Sequence, residues 1–173
     1  MFENELSELQ TKLVQDTVDT FDDKGDVYYL LGTIGAGFRE FEIFLAKDGV
    51  LDEQEFLKTI DEDMETLFMR GSLKIISEIE QLFQRNGKEI PEEMYWEYDY
   101  NNNSLTADFR YQTKHVENGI LSTMLAKKWM KEISENKGYS ILGDTPKLSK
   151  IINTKVNANE SLLAKLFKRG KNK

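Results

Sequence analysis

The chain has no cysteine, two prolines and one histidine, His115, in 173 residues. Without cysteine it has neither disulfides nor thiolate metal ligands. One imidazole per chain also rules out a two-histidine zinc centre within it. No apolar run reaches the roughly 18 residues that mark a membrane-spanning helix. The opening MFENELSEL is acidic and interrupted by polar residues. A secretory signal needs a basic start followed by an apolar block. Together these absences predict a cytoplasmic protein without a bound cofactor or metal. Catalytic signatures are scarce as well. No Gly-x-Ser-x-Gly elbow occurs, and a Ser–His–Asp triad could draw only on His115. The expectation is a non-enzyme.

What the chain does have is an uneven charge. Residues 1–100 carry 25 Asp/Glu and 9 Lys/Arg, a net of −16. Residues 101–173 carry 14 Lys/Arg and 6 Asp/Glu, a net of +8. The total of −8 therefore hides an acidic part and a basic part. An acidic face repels nucleic acid and attracts basic protein surfaces. The plainer alternative is a solvated surface that binds nothing.

The strongest pattern lies between Pro91 and Tyr111. Met94, Trp96, Tyr98 and Tyr100 alternate with Tyr95, Glu97 and Asp99. After Asn101-Asn102-Asn103, Leu105, Ala107, Phe109 and Tyr111 alternate with Thr106, Asp108 and Arg110. Period-two alternation on both sides of a polar turn predicts a half-buried β-hairpin. A second hairpin is expected upstream. Its first strand is Val27–Ile34, its turn Gly35-Ala36-Gly37, and its second strand Phe38–Ala46. On that second strand Phe41, Ile43 and Leu45 share one face, and Glu40 and Glu42 share the other with Phe38 and Phe44. Phe38 and Phe44 there either form a second contact surface or pack under a helix, and core burial is the favoured reading.

Three amphipathic helices complete the pattern. The first covers residues 2–21, where Phe2, Leu6, Leu9, Leu13, Val14, Val18 and Phe21 recur at helical steps. The second starts near Asp61 or Asp63, with acids suited to its N-terminus, and stops at Asn86-Gly87. Its apolar stripe runs through Met64, Leu67, Phe68, Gly71, Ile75, Ile79, Leu82 and Phe83. The third carries Ile120, Leu121, Met124, Leu125, Trp129 and Ile133 and ends near Gly138. Residues 49–60 remain open between a third strand, a loop and the run-up to a helix. The predicted fold is therefore α+β: an antiparallel sheet of four or five strands built from two hairpins, with amphipathic helices packed on it. Residues 1–138 form the domain. Residues 139–173 form a basic extension with short helical patterns at 148–152 and after Asn159.

Several local motifs favour plain structure over chemistry. The stretch from Asp48 to Phe56 resembles the back half of an EF-hand loop, but its first ligand positions fall on Phe44 and Ala46. A turn with a charged flank is the better reading. The Gly-rich run Gly32–Gly37 is followed by a strand pattern instead of the helix that phosphate binding requires. Asp61/Asp63 and Glu92/Glu93 are carboxylate pairs at element starts, where carboxylates are ordinary. The basic amphipathic end LLAKLFKRGKNK could touch a membrane surface or RNA, but a solvated or self-docking end, one that could lie against the chain's own acidic face, is the better reading.

In the order of these elements the chain resembles the YezG-like immunity proteins, partners of secreted LXG-type toxins. The similarity covers roughly residues 5–135. A helix ends in Leu82-Phe83, a polar linker with Pro91 follows, and an aromatic strand and turn lead into Leu105-x-Ala107-x-Phe109-x-Tyr111. The Tyr28/Tyr29 strand and its returning partner are similar in order and spacing. Trp96 lies two or three residues later than the family's usual Trp. The resemblance implies a cytoplasmic antitoxin that binds the toxin's C-terminal domain, with nucleases among the targets. The candidate contact residues are Glu40, Glu42, Asp61, Glu62, Asp63 and Glu65. The order of elements is also similar to that of type III effector chaperones, acidic and usually homodimeric adaptors that hold an extended segment.

Overall fold

The structure is a computed structural model and describes residues 1–53 and 55–135. The expected boundary at 138, the basic extension and its short helices lie outside the described residues.

Helix α1 spans Phe2–Phe21, strand β1 Val27–Gly35, β2 Phe38–Lys47 and β3 Val50–Asp52. A 3-10 helix at Glu55–Thr59 leads into α2, Glu62–Arg85. Strands β4, Glu93–Asp99, and β5, Ser104–Arg110, precede α3, Ser122–Glu135. The five strands form one antiparallel sheet in the order β3-β2-β1-β4-β5. This is the α+β architecture that the alternation predicts.

The near-continuous apolar run of β1 suits a strand covered on both faces. It lies at the centre, with Leu30 opposite Ile43 on β2 and Trp96 on β4. Gly32 has a packing role. A Cβ there would lie 2.7 Å from Ile76 Cδ1, so the missing side chain lets α2 press onto the sheet. The β2–β3 connection is a two-residue turn with Asp48 at φ 51° and Gly49 at φ 77°. Both left-handed angles match the tight hairpin turn whose twist follows that of the strands.

Helices α1 and α2 cover one face. Their core includes Leu13, Phe21, Ile76, Ile79, Trp96 and Phe109, all buried. Each such side chain contributes roughly 1.5–3 kcal/mol on full burial, as an upper bound. Buried Gln10 of α1 accepts the Trp96 indole N–H at 2.9 Å. Phe68 near the start of α2 packs edge-on to Phe41, and Phe83 near its end packs against Phe109. Helix α2 thus runs obliquely from β2 to β5. Met64 and Leu67, placed by periodicity on its buried stripe, are 41% and 71% exposed. Their turns lie where the helix begins, beside the sheet edge, and the buried stripe starts at Phe68.

Helix α3 covers the opposite face. Trp129 meets the rings of Tyr29, Phe44 and Tyr95 with centroids 5.0–5.3 Å apart. The β4–β5 hairpin is therefore more than half-buried. Glu93, Tyr95 and Asp108, on the face that alternation marks as polar, are also buried. Phe44 is buried as expected, whereas Phe38, beside the turn, is 43% exposed. The sequence pattern marks an outward face correctly but carries no record of what lands on it. Residues 49–60 resolve into the short β3 and the 3-10 helix.

Candidate functional site

Strand β2 is ten residues long, but β3 pairs only with its last part, Leu45–Lys47. After Asp52 the chain leaves the sheet. The Asp52 carboxylate accepts the Glu55 amide at 2.8 Å, and Phe56 is buried against Phe21. Among the described residues, the outer edge of β2 from Phe38 to Phe44 thus has no strand beside it.

A cleft of about 110 Å³ lies along this edge. Its floor is Glu42–Phe44, and one end is closed by Glu53 and Leu57. Glu65 and Met69 of α2 form one wall; Ala126, Lys127 and Met130 of α3 form the other. The two helices lie on opposite faces of the sheet. A space that touches both and β2 must lie in the plane of the sheet, where a longer β3 would run.

The cleft is electrostatically unbalanced. Glu42, Glu53 and Glu65 face one lining cation, Lys127, whose Nζ is 3.9 Å from Glu53 Oε1. The Glu42 carboxyl is pushed above its ordinary pKa, first by burial and then by the charges of Glu40 and Glu53. The Ser122 hydroxyl, donating at 2.7 Å, and the nearby Lys127 oppose that shift.

The six contact residues expected from the sequence do not form one patch. Glu42 and Glu65 meet at the cleft, joined by Glu53, which the sequence reading did not single out. Glu40 accepts the Ser122 amide at 3.0 Å, so Glu40 and Glu42 both serve the start of α3. Anions at a helix N-terminus are favoured by the backbone dipoles. These two glutamates therefore help to anchor a helix, a role that strand alternation alone cannot reveal. Asp61 caps α2 by accepting the Met64 amide at 2.8 Å. Glu62 and Asp63 are exposed on the same turn as Glu65.

A second polar group lies under the loop before α3. Glu93 is fully buried; the Tyr95 hydroxyl donates to it at 2.7 Å, and His115 Nδ1 lies 2.5 Å from its other oxygen. Arg110, opposite Glu93 in the strand register, donates to Asp108 at 2.8 Å and lies 4.1 Å above the Tyr95 ring. Glu92 accepts from the Thr113 hydroxyl and the Lys114 amide at 2.8 and 2.9 Å. These bonds tie residues 113–115 to β4 and deliver the chain to α3. A buried carboxylate supplied with donors in this way fixes one arrangement of the loop. Glu93 and His115 are far apart in sequence, and only the folded register brings them together.

The EF-hand-like stretch holds the Asp48-Gly49 turn, β3 and the start of the 3-10 helix, and the Gly-rich run is the end of β1 with its turn. Among the described residues no three His, Asp or Glu side chains are grouped to hold a metal ion, and no helix is long and apolar enough to cross a membrane. No protein-family model matches the chain, and no curated protein matches its sequence.

Proposed function

We propose that this chain is an immunity-type protein of the cytoplasm, which binds the C-terminal domain of a secreted bacterial toxin and blocks it by occlusion. The observation that carries this reading is the convergence of Glu42, Glu53 and Glu65, from three separate segments, on a sheet edge that no strand of the described residues covers. Glu62 and Asp63 extend that negative surface along α2. The matching partner has a basic working surface, as a nuclease has. Exposed acids accelerate the encounter, and the half-buried ones hold the complex once water is displaced. The fold order and the 105–111 strand motif of the YezG-like proteins support the same reading.

The test is a toxicity rescue. The C-terminal domain of a candidate toxin, sought among proteins encoded next to this chain, is expressed in a sensitive host, with and without the chain. Survival only with the chain, together with a co-purifying complex, is the expected result. Death in both cases with no complex would overturn the reading.

One observation favours a secretion chaperone as the second reading. Met64 and Leu67 on α2 and Leu121 and Met124 by α3 leave apolar side chains exposed. That reading expects a homodimer that holds an unfolded effector segment. Light scattering separates the two, because the occlusion reading expects a monomer bound to one folded toxin domain.

A further inference from the structure

We infer that the edge of β2 left open by the strands of the described residues is a strand-acceptor slot, which takes an extended, lysine- or arginine-bearing segment of a protein partner as a sixth strand. The inference rests on the proposed reading in one respect, that the partner is a cationic protein; it adds how that partner is held.

The geometry follows from the strand register. In the β2–β3 hairpin the pair that closes the two-residue turn is Lys47 with Val50. In such a turn this closing pair exchanges both backbone hydrogen bonds. Lys47 and Leu45 therefore direct their backbone groups toward β3, and alternation directs those of Ile43, Phe41 and Arg39 to the same edge. The intervening Glu40 and Glu42 face β1, opposite Thr33 and Leu31. Beyond Leu45 no strand of the described residues meets the outward groups. The cleft lies directly against Ile43, and its walls are helices from both faces of the sheet.

Charge selects the occupant. An added strand sends alternate side chains toward α2 and toward α3. On one side they approach Glu65 and on the other Glu42, while Glu53 stands at the end. Leu57, Met69 and Met130 provide apolar contact for the stems of long cationic side chains. The acids also oppose edge-to-edge pairing of two copies of this chain, because each would bring the same carboxylates. The opposite sheet edge, β5, is the natural control: it too lacks an outer strand among the described residues, but the cleft and its three carboxylates are at β2. Main-chain bonds would supply affinity and the acids would supply choice.

The test needs no knowledge of the toxin. The full chain, labelled with 15N, is mixed with an acetylated, amidated heptapeptide that alternates lysine and valine, and amide hydrogen exchange is read by NMR. Slowing by about tenfold or more at Arg39, Phe41 and Ile43, with Glu40 and Glu42 unchanged, is expected of strand addition. The glutamate–valine counterpart is expected to give no protection. The Glu53→Lys/Glu65→Lys variant, altered at two residues outside the buried core, is expected to bind the lysine peptide about tenfold more weakly with its free spectrum otherwise intact. Protection along β5 instead, or no protection of the three β2 amides at millimolar peptide, overturns the slot. Either result leaves the rescue experiment free to stand, whereas a failed rescue with a protected β2 edge overturns the toxin reading alone.

Discussion

The two tryptophans of the described chain stand on opposite faces of the sheet and sit in different surroundings. Trp96 is held between the sheet and α1, and its indole N–H reaches Gln10 at 2.9 Å. Trp129 is equally buried, but its indole N–H finds no acceptor among the described residues. The face around Trp96 buries a continuous core of 22 apolar side chains drawn from two helices, the 3-10 segment and four strands. Among the described residues, the face around Trp129 buries eight, from one helix and three strands, and adds polar ties at Ser122, His115 and Lys114. Apolar area sets the bulk of stability, whereas hydrogen-bonded charge fixes position more than it stabilises. The α1–α2 face therefore holds the fold, and the α3 face places one wall of the acidic cleft.

This contrast can be broken most severely at Trp96. Trp96→Ala removes a filled core volume and leaves Gln10 without its donor, and a loss of about 3–5 kcal/mol is expected in urea unfolding. Trp129→Ala removes an equally large side chain, yet α3 can undock without unravelling the other face. A global loss below about 2 kcal/mol is expected, with early hydrogen exchange confined to α3. Equal losses for the two variants would show that the faces unfold as one unit.

Glu93 tests the polar ties. Glu93→Ala leaves the Tyr95 hydroxyl without its acceptor and His115 without its partner, at a cost of about 1–3 kcal/mol. Glu93→Gln retains an acceptor for Tyr95 and is expected to lose less. In both variants chemical shifts are expected to move around residues 113–122, with the α1–α2 core unchanged.

The smallest effect is at Glu42. Its folded pKa is raised, so the folded state binds this proton more tightly than the unfolded chain does. This one group therefore favours folding as pH falls through the folded value, and the advantage is complete below the ordinary value of 4.5. As pH rises, the carboxylate ionises at a cost. Glu42→Gln is expected to be more stable than the parent at pH 7, a difference that shrinks toward pH 4. A cation docking beside Glu42 pulls its proton off. Binding just above the carboxylate range is therefore expected to release protons, visible by calorimetry in buffers of different ionisation enthalpy.

Most of the architecture was legible in the sequence because it rests on periodicity. The alternation of Met94, Trp96 and Tyr98 and the helical steps of Leu6, Leu13 and Phe21 report backbone geometry directly. Coverage by distant elements was not legible. Glu97 and Tyr95 look alike in alternation, and only the path of α3 decides which is fully buried. Met64 and Leu67 continue a perfect stripe but lie at the end of the helix beside the sheet edge. At the candidate site the charge imbalance pointed to Glu42 and Glu65 as candidates, and both line the cleft. Glu53 was missed because the segment that holds it has no period of its own. The free edge of β2 was equally hidden, since it depends on how soon β3 leaves the sheet.

The most direct measurement is the affinity of the proposed partner, a toxin C-terminal domain from which the chain rescues the host, for three forms of the chain, by calorimetry at fixed ionic strength. These are the unaltered chain, an edge variant Glu53→Lys/Glu62→Lys/Glu65→Lys, and a control variant Glu3→Lys/Glu8→Lys/Glu89→Lys with the same net charge. The account predicts a loss of about 100-fold or more for the edge variant and less than about threefold for the control. Equal losses in the two variants, or none in the edge variant, would contradict the claim that the acidic edge of β2 is where this protein binds its partner.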